Sequence, residues 1–167
     1  RADINLCIRS NILSNFITIK LTNLMSTLNV AIAGFGTIGS GVAHVLTQHG
    51  EHPDTKINLV GILERDIQGT YVRSMYEQNP KLFYENLEQL LNDNEVDVIV
   101  ETIGGKDFAR DLISNALKKG KHVITANKDL VAVHGSELTT IARENGRHLL
   151  FEAAVAGAIP VLRLLKD

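Results

Sequence analysis

The chain is predicted to fold as an α/β domain, a doubly wound parallel sheet with helices on both faces. Three observations carry that expectation. Short, almost wholly apolar runs recur along the chain: LNVAIA at 28–33, KINLVGIL at 56–63, VDVIVE at 96–101 and HVIT at 122–125. Segments with apolar residues at helical spacing lie between them. The first run passes directly into GFGTIGSG at 34–41, a glycine-rich turn. Strands without a polar face suit a parallel sheet buried on both sides, and strand–helix alternation builds such a sheet from βαβ units.

The elements follow in order. Ile38, Val42, Val45 and Leu46 recur at i, i+4, i+7 and i+8, which predicts one apolar helical stripe ending near Gly50. Residues 64–80 read as polar and irregular, with Gly69 and Pro80. Leu87, Leu90 and Leu91 suggest a short helix before VDVIVE. Phe108, Leu112, Ile113, Ala116 and Leu117 mark a helix that stops at Gly120. A further helix is expected from about Ser136 to Asn145, capped by Gly146, and the run HLLFE then reads as a last strand. No repeat, low-complexity tract or linker interrupts residues 25–151, which are expected to form one domain.

Composition narrows the functional classes. A chain of 167 residues can bury the core of one ordinary domain. With a net charge of -2 it has no basic field to hold nucleic acid or an anionic membrane, so neither is an expected partner. Cys7 is the only cysteine, which excludes an internal disulfide and a thiolate zinc site and fits a cytoplasmic location. The stretch between Arg9 and Lys20 is too short and too rich in Ser, Asn and Thr to span a bilayer, and no signal-peptide cleavage pattern follows it. Residues 1–24 lack helical or strand periodicity, so they are expected to be a non-native or disordered extension, with Met25 as the natural start.

Gly34, Gly36 and Gly39 fill the three positions of G-x-G-x-x-G. The first permits a tight turn, the second lets backbone approach a pyrophosphate, and the third lets the helix pack closely. A strand before the motif and a helix after it supply the context of a Rossmann-type dinucleotide site, in which the anion faces the positive helix end. No G-K-[ST] follows, so a nucleotide triphosphatase loop is excluded. At the end of the second strand, Glu64 stands where a carboxylate would hold the adenosine ribose hydroxyls of NAD, and Arg65 beside it would accommodate the 2′-phosphate of NADP. The choice between NAD and NADP stays open.

Beyond the glycine loop, three segments are more specific: VDVIVETIGG at 96–105, GKHVITANKDLVAVHGSEL at 120–138 and FEAAVAGAIPVLR at 151–163. With GFGTIGSG they resemble homoserine dehydrogenase, in the family's order, from Leu28 to Asp167. The resemblance implies an enzyme that interconverts L-homoserine and L-aspartate 4-semialdehyde with NAD(P), on the route to threonine, methionine and isoleucine. It implies that Phe35, Thr37 and Ile38 contact the cofactor phosphates, and that Arg65 lies by the adenosine ribose. Thr102 and Gly104 would line the nicotinamide side, and Lys128 would sit beside nicotinamide and substrate. The segment EAAVAGAIP resembles the family's sodium-binding loop, with the Glu152 carboxylate and the carbonyls of Val155, Gly157 and Ile159 as oxygen ligands suited to a hard cation.

In the family, the substrate-binding acids and the principal catalytic lysine lie in a second, α+β domain. Residues 152–167 are expected to open that domain, and the chain is expected to stop before its remainder. The complete protein is expected to be a homo-oligomer acting on a small-molecule substrate. None of the six histidines is placed to take the alcohol proton: His44 and His49 fall on the first helix, His52 in a turn, His122 and His148 at strand starts, and His134 on a helix surface. Two other functions compete with this reading. A different NAD(P)-linked dehydrogenase would share the glycine loop without the TANK segment. A non-catalytic dinucleotide-sensing regulator would carry a DNA-binding module where the enzyme carries a substrate domain.

Overall fold

The computed structural model describes residues 27–49, 51–52, 55–69 and 72–151. The extension at 1–24, the residues of HLLFE beyond Phe151 and the proposed sodium ligands Glu152, Val155, Gly157 and Ile159 lie outside them.

Strand β1 (Thr27–Ala33) enters the glycine loop and continues as α1 (Thr37–His49). A two-residue β2 (Glu51–His52) turns into β3 (Thr55–Leu63). The stretch that reads as irregular contains a short helix, α2 (Arg73–Gln78), followed by a single 3₁₀ turn (Pro80–Leu82) and β4 (Phe83–Tyr84). This helix has no buried residue, so no apolar stripe marks it in the sequence. Then come α3 (Leu87–Asn92), β5 (Val98–Glu101), α4 (Asp107–Lys118), β6 (His122–Thr125), α5 (Lys128–Glu144) and β7 (Leu149–Leu150).

Helix α5 corrects the expected start near Ser136 by beginning at Lys128. The start signal is the Asn127 side chain, which accepts the Leu130 amide at 3.1 Å and so caps the helix. The apolar face of its first two turns is reduced to Leu130, because Val133 is exposed.

The sheet runs β2-β3-β1-β5-β6-β7, with β4 also paired to β3. All pairs are parallel except β2 with β3. Counted over the six parallel strands in chain order, the arrangement is 3-2-1-4-5-6, that of a doubly wound dinucleotide-binding fold. The order reverses between β1 and β5, so the helices that follow these two strands, α1 and α4, leave to opposite faces and a crevice opens at the strands' carboxyl ends.

Alternation along β1 builds both halves of the core. Leu28, Val30 and Ile32 pack with Val42 and Leu46 of α1. Ala31 and Ala33 face the other way, toward Leu112, Ile113, Ala116 and Leu117 of α4 and Leu130 and Leu138 of α5. Each fully buried Leu or Ile contributes on the order of 2 kcal/mol, so these two layers dominate stability. One register irregularity between Val30 and Ala31 shifts β3 by a residue and brings Gly61 beneath the Tyr84 ring, where a Cβ would lie 2.1 Å from a ring carbon. The Tyr84 hydroxyl donates to Asp93 Oδ2 at 2.7 Å, and burial together with this carboxylate raises its pKa.

At the opposite, amino-terminal end of the sheet, His122 is buried, its ring stacked on His148 at 5.2 Å, and its Nδ1 accepts the His148 amide. Burial, with His148 and Arg147 beside it, pushes the imidazole down to about 4. Its folded pKa lies below the ordinary value, so protonation favours the unfolded chain. The stability it contributes is complete above about pH 6.5 and declines as pH falls from there toward 4. Replacing His122 with Gln, which keeps an acceptor but cannot titrate, is expected to remove on the order of 3 kcal/mol of that acid dependence. Urea unfolding of both proteins at pH 7 and pH 4.5 measures it; identical pH dependence in the two would refute the assignment.

Candidate functional site

The site begins where β1 ends. Gly34 has φ +93, and a Cβ there would stand 2.7 Å from backbone atoms of Thr102 and Ile103. Its amide donates to the Leu63 carbonyl at 2.9 Å, which ties the turn to the end of β3. Gly39 is held by the loop itself: a Cβ would fall 2.0 Å from the Gly34 carbonyl oxygen. The third glycine therefore permits α1 to press on the turn that precedes it. Gly36 differs from both. It is exposed, and a Cβ there would meet no heavy atom within 4 Å.

Thr37 and Ile38 open α1, so their amides have no carbonyl four residues back inside the helix to bond. Ile38 corrects the expected stripe, being 48% exposed in this first turn while Val42, Val45 and Leu46 are buried. The Phe35 side chain is also turned away from solvent, edge-on to Phe83, so any ligand contact it makes is through backbone. Its amide donates to Glu64 Oε2 at 2.6 Å, and Glu64 Oε1 accepts the Asp66 amide at 3.0 Å. The carboxylate expected at the ribose thus also braces the glycine loop.

A cleft of about 880 Å³ opens over these elements. Gly34, Gly36, Glu64 and Arg65 lie along one side and Thr102, Ile103 and Phe108 along another. Arg65 is exposed at its edge. Ile103 and Phe108 are 39% and 51% exposed, so Phe108 leaves the buried stripe expected of α4 and offers an apolar surface to the cleft instead. Tyr76, from the stretch read as irregular, and Phe83 and Tyr84 of β4 complete the apolar wall. The size, the apolar lining and the few convergent polar groups are those of a small-molecule site.

The Thr102 hydroxyl donates to the Gly34 carbonyl at 2.7 Å, joining the two strand ends on either side of the crevice. Gly104 (φ +77) is exposed and lies in the same loop, outside the lining of the cleft. Lys128 also stands outside the lining, exposed at the first position of α5 and without an ion-pair partner among the described residues. The turn that carries it is fastened to the cleft-side loop, because Asn127 Nδ2 donates to the Gly105 carbonyl at 2.6 Å. His134 sits on the surface of α5, as expected, 3.4 Å from Glu137, which also pairs with Arg110.

Sequence reading assigned no role to Glu101, Thr125 or Asn127. The signal for Glu101 was an acid ending an otherwise apolar strand; Thr125 and Asn127 stand in the TANK segment. No helix among the described residues is long and apolar enough to cross a membrane.

Residues 34–152 match the family model for the homoserine dehydrogenase NAD binding domain. The homoserine dehydrogenase of Bacillus subtilis is 37% identical over 150 residues, 86% of this chain and 33% of that protein. The crystal structure of Staphylococcus aureus homoserine dehydrogenase at pH 7.5 superposes with a TM-score of 0.70 at 40% identity, covering 80% of this chain and 33% of that one. A hyperthermophilic archaeal homoserine dehydrogenase mutant in complex with NADPH gives a TM-score of 0.67 at 25% identity, over 83% of this chain and 48% of its own. The chain thus spans about a third of the length of the curated relatives it matches. Its strand order, its glycine loop and the residues matched agree: the chain belongs to the homoserine dehydrogenase family and carries that family's NAD-binding domain.

Proposed function

We propose that this chain is the cofactor-binding part of an NAD(P)-dependent dehydrogenase that interconverts L-homoserine and L-aspartate 4-semialdehyde. The observation that carries the reading is the open cradle at Gly36, at the one place where the strand order reverses, in a chain whose family is named for that reaction. The residues present fit a dinucleotide. Backbone free of side chains at Gly36 and the unbonded amides of Thr37 and Ile38 suit a pyrophosphate. Arg65 at the cleft edge suits the adenosine ribose, and the exposed Ile103 and Phe108 suit an apolar ring.

The nicotinamide, when bound, supplies or accepts the hydride. The chain's own residues bind and orient. The glycine loop and the α1 dipole hold negative charge, and Thr102 keeps the two strand ends together. Lys128 provides a cation whose charge stabilises negative charge developing on the substrate oxygen. The proton of the alcohol belongs to a group of the family's further α+β domain, for which residues 152–167 form the opening segment. A cytoplasmic, homo-oligomeric enzyme without nucleic-acid or membrane partners completes the proposal, with the Glu152 loop as its candidate sodium site.

Three measurements test it. Gly36→Val is expected to fold, because nothing surrounds the new side chain, yet to lose NADH and NADPH binding by at least a hundredfold in fluorescence titration. Unchanged affinity in the folded variant would remove the phosphate-cradle assignment. Arg65→Ala is expected to weaken NADPH about tenfold while sparing NADH, as loss of a charged hydrogen bond to the 2′-phosphate does; equal effects on both would return Arg65 to the solvated surface. In the full-length gene product, Lys128→Ala is expected to lower homoserine-dependent NAD(P)H formation about a hundredfold. Turnover that survives the substitution would show that the reacting centre lies elsewhere.

A further inference from the structure

Glu101 is fully buried at the end of β5 and pairs with no cation in any ion pair among the described residues. A carboxylate placed so would be costly unless hydrogen-bonded, and every bond it makes goes to one of two segments. Its Oε1 accepts the amides of Ile103 at 2.8 Å and Gly104 at 3.2 Å. Its Oε2 accepts the hydroxyl of Thr125, itself fully buried at the end of β6. Thr125 Oγ1 in turn accepts the Asn127 amide at 3.0 Å. Asn127 closes the circuit, accepting the Leu130 amide with Oδ1 and donating to the Gly105 carbonyl with Nδ2.

The direction of these bonds is determined. A carboxylate only accepts, so the Thr125 proton must point at Glu101, which leaves an oxygen lone pair for the Asn127 amide. The loop after β5 carries two successive glycines at positive φ, Gly104 (+77) and Gly105 (+72), neither with a heavy atom near its Cβ position. Packing does not hold the two glycines; beyond the bonds of Thr102 to Ala33 and Gly34, the carboxylate and Asn127 hold this loop. From the same residues we propose that Glu101 is a positioning residue of the reaction: it locks the loop 102–105 to the first turn of α5, and so sets where Lys128 stands relative to the nicotinamide end of the cleft. This inference rests on the cofactor reading above and extends it to residues that touch neither cofactor nor substrate.

The test uses this chain and two ligands: whichever of NADH and NADPH binds more tightly, and the matching nicotinamide-free ADP-ribose, with or without its 2′-phosphate. Affinities are read by calorimetry for wild type, Glu101→Gln, Thr125→Val and Thr125→Ser. Gln brings an N–H₂ donor against Thr125, and Val has the shape of Thr without its hydroxyl, whereas Ser keeps the hydroxyl. Glu101→Gln and Thr125→Val are expected to weaken the reduced cofactor about tenfold, the effect of one buried polar group left unpaired, with ADP-ribose affinity changed less than twofold. Thr125→Ser is expected to match wild type. In the full-length gene product the first two should lower kcat more than the KM for homoserine. Equal losses for both ligands would reveal a merely structural role, and no loss for either would reveal none; both outcomes overturn the proposal. A wild-type chain that bound neither ligand would overturn the cofactor reading itself, and this inference with it.

Discussion

Backbone pressed against backbone at the end of β1 is the constraint on which the rest of the molecule depends. The Gly34 carbonyl lies against Gly39 on one side and accepts the Thr102 hydroxyl on the other, while the Gly34 amide reaches Leu63. Three elements, α1 and the ends of β3 and β5, are therefore indexed to a single residue. No side chain fits among them, which is why two of the three glycines are obligatory for the fold and only Gly36 is free to serve a ligand. A motif commonly read as one functional signature thus divides into a structural pair and a binding member.

The opposite bank of the crevice solves a different problem. There the backbone is loose, with two consecutive glycines, and a buried acid supplies the order that packing does not. Glu64 acts comparably on the near bank, where it braces Phe35 through its amide. In both places a carboxylate at a strand terminus gathers amides of the following or neighbouring loop. Carboxylates suit that task, since each oxygen accepts more than one bond and amides cannot repel it. The cleft walls are consequently arranged before any ligand arrives, which lowers the ordering cost of binding.

Much of this was legible in the residues. Apolar runs located β1, β3, β5 and β6 to within two residues, because strands buried on both faces leave no polar position to blur the pattern. The glycine spacing located the cradle because steric exclusion is a local property. What stayed hidden was long-range. Helix α2 buries nothing, so it leaves no periodic trace. The start of α5 was obscured because its first two turns bury only Leu130, and its cap is a single asparagine. Ile38 and Phe108 continue apolar stripes by spacing, yet Ile38 is exposed in the first turn of α1 and Phe108 lines the cleft, since periodicity does not tell a core face from an exposed one. The hydroxyl partner of Glu101, Thr125, is 24 residues away in the chain, and no spacing rule joins them.

Two of the two-residue strands sit on the same outer edge of β3, one at each end: β2 pairs antiparallel with Thr55 and Lys56, and β4 pairs parallel with Ile62 and Leu63. An incoming strand from another molecule would have to match both directions at once, with only the few residues between them left for pairing. Such an edge offers no continuous template for intermolecular sheet growth. The arrangement blunts this edge against strand addition, and one of its two guards, β4, also walls the cleft through Phe83 and Tyr84.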